Sequence, residues 1–223
     1  MPWTTGSANR PQANSPSETL PTPRQAATDI AVVAGVSIAH GVASLAGLPV
    51  GWIVSGVGVV LTAYVLFVLR RRKEPWRAYG FRADNLRQAG WRVGLWTGAV
   101  AILIILASRA LGNSLDRPEL LLLLPLYPLW GILQQFVFQG IVHRALLRLI
   151  DQRNVALGIS AILFATVHIP FWPVVGLTLG GGLCWSWFYQ RWPNLWVLGI
   201  SHGVLGSLAY SLLLGRNTLE QVF

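Results

Sequence analysis

The chain has little charge, little acid and almost no cysteine. Only 8 of its 223 residues are Asp or Glu, and charged residues of all kinds make up 11%, against roughly 25% in an ordinary soluble domain. That scarcity excludes a water-soluble globule, whose surface carries most of its charge. The single cysteine, Cys184, excludes a disulfide framework and any multi-cysteine metal site. No His-Glu-x-x-His sequence occurs, so a zinc helix of that kind is absent.

Apolar residues and tryptophan take the place of charge. The chain is 53% hydrophobic with 11 Trp and has a mean hydropathy of +0.53. Asp, Glu, Lys and Arg are missing from 30–69, 93–108, 120–142, 154–190 and 192–215. A bilayer core takes roughly 20 apolar residues per helix. The first stretch holds two spans, broken at Gly47-Leu48-Pro49, and the fourth holds two, broken at Ile169-Pro170-Phe171-Trp172-Pro173. The expected fold is therefore all-α: a polytopic membrane helix bundle with about seven transmembrane helices, near 28–47, 50–70, 93–111, 120–148, 155–169, 173–190 and 194–214. Pro125 and Pro128 predict a broken or re-entrant start to the fourth span.

Residues 1–27 are rich in Pro, Ser, Thr, Ala and Gln with no apolar run. They read as a disordered tail rather than a signal or transit segment. Two spans and a basic loop follow over 28–92, then a third span and short loop over 93–118. The polar site falls in the core, 119–223.

The 17 basic residues against 8 acidic ones do not point to nucleic acid, because they cluster between the apolar stretches as topology signals. Arg70-Arg71-Arg72-Lys73, Arg77, Arg82, Arg87, Arg92, Arg144, Arg148, Arg153 and Arg191 share one side with Arg10 and Arg24. Arg109, Arg117 and Arg216 fall on the other. The positive-inside rule then places the N-terminus in the cytoplasm. In the loop between spans two and three the chain turns at Gly80, and Asp84 or Asn85 is placed to cap the next helix.

Polar groups at membrane depth face the protein interior. Those with chemical capacity are Gln134, Gln135 and Gln139 on span four, His168 at the end of span five and His202 on span seven. Gln135 and Gln139 stand four residues apart and share one helix face. Gly199 and Gly203 around His202 form a Gly-x-x-x-Gly that lets another backbone approach, and Gly176 with Gly180 forms a second. One polar pocket enclosed by spans four, five and seven is the expectation. Ser160 with His202 resembles, faintly, the Ser–His pair of rhomboid proteases. His168 and His202 without a carboxylate make a poor zinc site, even with His143, so no metal and no cofactor is expected. His40 is expected to be a satisfied contact between the first spans, and Cys184 buried and inert.

The order and spacing of these residues resemble the CPBP family of intramembrane proteases, which includes the CAAX prenyl endopeptidases and the bacteriocin-processing or Abi proteins. The family pattern is Glu-Glu-x-x-x-Arg, then Phe-x-x-x-His, then His-x-x-x-Asn. Here these fall on Gln134-Gln135-x-x-x-Gln139, Phe164-x-x-x-His168 and His202-x-x-x-Gly206. The resemblance implies a peptidase site in which a glutamate and a histidine activate water while the second histidine and the asparagine stabilise the oxyanion. It also implies a multi-pass protein of a bacterial plasma membrane. The motif positions carried over are Gln134, Gln135, Gln139, His168, His202 and Gly206.

The departures bear on activity. A carboxamide accepts no proton at neutral pH, and Gly206 offers no side-chain donor to an oxyanion. Two functions follow. One is a divergent peptidase with reduced or lost activity. The other is a non-catalytic protein whose cavity holds a hydrophobic or lipidated peptide, or a transmembrane partner helix.

Overall fold

The computed structural model describes residues 20–216, and these are helical with no strand among them. The proposed tail falls largely on residues 1–19, outside the described residues. Its last part is not tail: α1 (Pro23–Leu45) starts at Pro23, because Thr22 and Gln25 form a reciprocal capping box and Pro23 suits the first turn. After a turn at Gly47, whose φ is 75°, α2 (Val50–Arg72) returns to the starting side. A single turn, α3 (Trp76–Tyr79), leads to α4 (Leu86–Ala110). Then come α5 (Leu120–Gln135), a π-helical segment (Phe136–His143) and α6 (Arg144–Leu149). Next are α7 (Arg153–Thr166), α8 (Trp172–Arg191) and α9 (Leu195–Leu208), the last extended by a π turn (Ala209–Leu213).

The seven apolar segments are all helical, and the breaks fall where glycine and proline placed them. Five of the described segments are long and apolar enough to cross a membrane: Pro23–Leu45, Val50–Arg72, Leu86–Ala110, Leu120–Leu149 and Leu195–Leu213. The short α7 measures about 21 Å at 1.5 Å per residue, less than a hydrocarbon core of about 30 Å. Side chains such as Trp52 (80% exposed), Leu121 (81%) and Trp91 (73%) are largely uncovered by the described residues. Apolar surface on that scale belongs in lipid, so the protein is a multi-pass membrane protein.

The fourth span is irregular, but not at its prolines. Helix α5 runs unbroken through Pro125 and Pro128, and the ladder changes to i→i+5 only at Phe136. Close packing of α5 on α9 accompanies this. A Cβ on Gly203 would collide with the Pro128 backbone, and one on Gly199 would lie 2.5 Å from Ile132 Cα. The Gly199/Gly203 motif is thus used as the sequence suggested. Gly176 and Gly180 are not: a Cβ at either meets nothing within 4 Å.

The basic end is fastened by polar contacts. Arg72 pairs with the buried Asp29 at 2.6 Å and Arg144 with Glu74 at 2.6 Å, while the Arg144 guanidinium lies 4.6 Å from the Tyr79 ring centroid. Tyr189 donates to the Tyr79 carbonyl at 2.7 Å, and the Leu195 amide donates to the Gly80 carbonyl at 2.8 Å. Gly80 has φ 107° and faces the Tyr189 and Leu195 side chains at near-contact distance, which only glycine tolerates. Asn85 precedes α4 without capping it. Its amide reaches the Pro193 carbonyl and its oxygen accepts from Asn194 at 2.8 Å, so it joins the loop to α9 instead. A hydrogen bond from Arg82 holds the Asp84 carboxyl below the usual carboxylate range.

Candidate functional site

Helices α1, α2, α4, α5, α8 and α9 enclose a cavity of about 1330 Å³ with largely apolar walls. Gln134, His168, His202 and Gly206 all line it. Gln135 and Gln139 do not, contrary to a single pocket holding all the motif residues. Neighbouring helical residues point about 100° apart, so Gln134 and Phe138 share the cavity face while Gln135 and Gln139 share another. The Gln139 amide donates to Ser186 Oγ on α8 at 3.0 Å, and Gln135 is buried with its Oε1 unpartnered. Gln139 is thus a helix-to-helix bond.

Phe164 organises the two histidines. Its ring meets His168 edge-on at 5.6 Å and His202 edge-on at 5.3 Å between centroids. His168 follows the last turn of α7, and its Nδ1 lies 3.2 Å from the Phe164 carbonyl. A carbonyl only accepts, so Nδ1 carries the proton and Nε2 keeps the lone pair. His202 lies against Trp185 at 4.8 Å, and its Nδ1 has no partner. Trp185 is tied in turn by its indole N–H to Ser201 Oγ at 3.1 Å, and that hydroxyl lies 2.7 Å from Thr97 Oγ1. Gln134 makes no side-chain hydrogen bond to another described residue, which leaves its amide to the cavity.

The other sequence candidates separate. Ser160 is fully buried, unpartnered and not part of the cavity wall, so no Ser160–His202 pair forms. His143 Nε2 meets the Gln190 amide at 3.1 Å, away from the cavity. No group of three or more His, Cys, Asp or Glu among the described residues could hold a metal. His40 is not a satisfied contact: it is half-buried on the cavity wall with Nδ1 unpartnered. Cys184 is likewise half-buried on that wall rather than enclosed in the core. Sequence reasoning also missed Arg216, the single charged residue of the lining among the described residues. Its place beyond the last apolar run was the available signal.

The architecture is that of a helical membrane protein with an interior cavity, and part of it is similar to a known family. Residues 116–208 match the family model described as Rce1-like, type II CAAX prenyl endopeptidase. That segment runs from the turn before α5 to the end of α9 and contains all three motifs. The match is in keeping with the CPBP resemblance of the sequence. No curated protein and no solved structure matches the chain.

Proposed function

We propose that this protein is an Rce1-like intramembrane protein whose cavity holds a hydrophobic or lipidated peptide, with peptide-bond hydrolysis reduced or lost. The observation that carries the reading is the company Gln134 keeps. It shares one apolar cavity with His168 and His202, and no carboxylate among the described residues lines that cavity. A water positioned there meets an amide in place of an anionic base, and a positioned general base contributes roughly 10²–10⁴ in rate. Apolar walls with a few convergent polar groups are the usual composition of a ligand site. We place the protein in a bacterial plasma membrane with its N-terminus cytoplasmic. The family resemblance supports the membrane, and the clustering of arginine at one end of the bundle supports the orientation.

One feature favours residual hydrolysis: the Phe164 carbonyl fixes the His168 tautomer that leaves Nε2 as a base. A photo-crosslinking residue at Trp130, on the cavity wall, should capture a farnesylated peptide in membranes. The same residue at the lipid-facing Trp52 should not. Equal capture at both positions would contradict the reading.

A further inference from the structure

The helical hairpin α1–α2 is held to the rest of the bundle chiefly at the basic end. There α1 packs on α6 and on the π segment, Asp29 pairs with Arg72, and Glu74 pairs with Arg144. Toward the opposite end neither α1 nor α2 packs extensively on α8 or α9. Leu45, Leu48 and Val50 at the hairpin tip are 71%, 54% and 50% exposed. The cavity is therefore a wedge: closed at the basic end and open at the end where α9 finishes.

At the open end stands Arg216. Its guanidinium lies 3.8 Å from the Phe171 ring centroid, and both residues belong to the cavity wall. Arg117 is its neighbour, with Nη2 3.5 Å from where a Cβ on Gly215 would be. Neither arginine makes an ion pair with a described residue, and Arg117 Nε is buried without a hydrogen-bond partner. Two guanidiniums with no carboxylate paired to them among the described residues attract an anion. Their planar forks suit phosphate better than a point charge would.

Below Arg216 the wall is apolar. On α8 it runs from Val174 to Trp185, about 16 Å at 1.5 Å per residue, which is the depth of one leaflet of a core about 30 Å thick. We propose that the open end is a binding site for an anionic phospholipid of the adjacent leaflet. Its phosphate pairs with Arg216, and one acyl chain runs down the wedge toward Trp185 and His202. This rests on the reading of the cavity as a site for lipophilic chains, and it adds a second class of ligand and the residue that selects it.

The test uses the full chain in lipid nanodiscs. Phosphatidylglycerol and phosphatidylcholine probes carry the same photoreactive group midway along the same acyl chain, and labelled peptides are read by mass spectrometry. The phosphatidylglycerol probe should label 174–185 and 202–210 about tenfold more than the phosphatidylcholine probe, whose quaternary ammonium offsets the charge of its phosphate beside the two arginines. Arg216→Glu should bring the two to the same level, and Arg216→Lys should keep part of the preference. Equal labelling of the cavity by both probes in the unmodified protein would overturn the anion site while leaving the cavity reading intact. That comparison needs no variant. Labelling confined to outward faces such as Trp52 and Leu121 would overturn both.

Discussion

Gln139 donates its side-chain amide to Ser186 Oγ across 3.0 Å of buried interface between the π segment and α8. The bond is structural, and its removal has an asymmetric cost. Ser186→Ala leaves a buried amide without its acceptor and should destabilise by about 1–3 kcal/mol, whereas Gln139→Leu with Ser186→Ala should come closer to neutral. Neither change should alter ligand capture in the cavity, while Gln134→Leu should. Thermal unfolding in detergent, paired with crosslinking at Trp130, checks all three.

The α5–α9 contact makes a second expectation. Gly203→Ala forces a Cβ into the Pro128 backbone, so the helices must separate, at about 1–3 kcal/mol or more. Gly180→Ala meets nothing within 4 Å and should leave the melting temperature unchanged. Comparable melting of the two variants would show that α9 does not lie against α5 as described.

Arg144 anchors the basic end, with its side chain 1% exposed against Glu74. Arg144→Ala strands that carboxylate and should cost about 3–5 kcal/mol, the usual penalty for breaking a buried pair. Arg77 pairs with Asp84 through a side chain that is 60% exposed, and Arg77→Ala should cost less than about 1 kcal/mol. Equal losses would contradict the burial of the Arg144 pair.

The proposed orientation makes a further expectation. With Cys184 replaced, a cysteine at Ser114 should react with a membrane-impermeant reagent added from outside. One at Lys73 should react only after the membrane is opened. The reverse pattern would invert the proposed orientation.

Much of this fold was legible because the bilayer writes it into composition. Charge gaps mark the helices, while Gly47 and Pro170 mark their breaks. The cavity trio was legible too, since Gln134, His168 and His202 are polar where only an interior can hold them. Gln135 and Gln139 were misplaced because a pattern of glutamines does not say which of two faces, about 100° apart, looks into the cavity. His40 and Cys184 were misplaced because a void between helices leaves no trace in periodicity. The Asp29–Arg72 and Glu74–Arg144 pairs lie just outside the apolar runs, where spacing along the chain says nothing of partners 43 and 70 residues apart.

The central claim is that the cavity binds without efficient hydrolysis for want of a carboxylate beside His168. Unmodified protein, His168→Ala and Gln134→Glu, assayed in parallel on the same farnesylated peptides in vesicles, test it most directly. The expected result is negligible turnover by the first two and measurable turnover by Gln134→Glu, alone or with Gly206→Asn supplying an oxyanion donor. Robust cleavage by the unmodified protein that disappears in His168→Ala would contradict it.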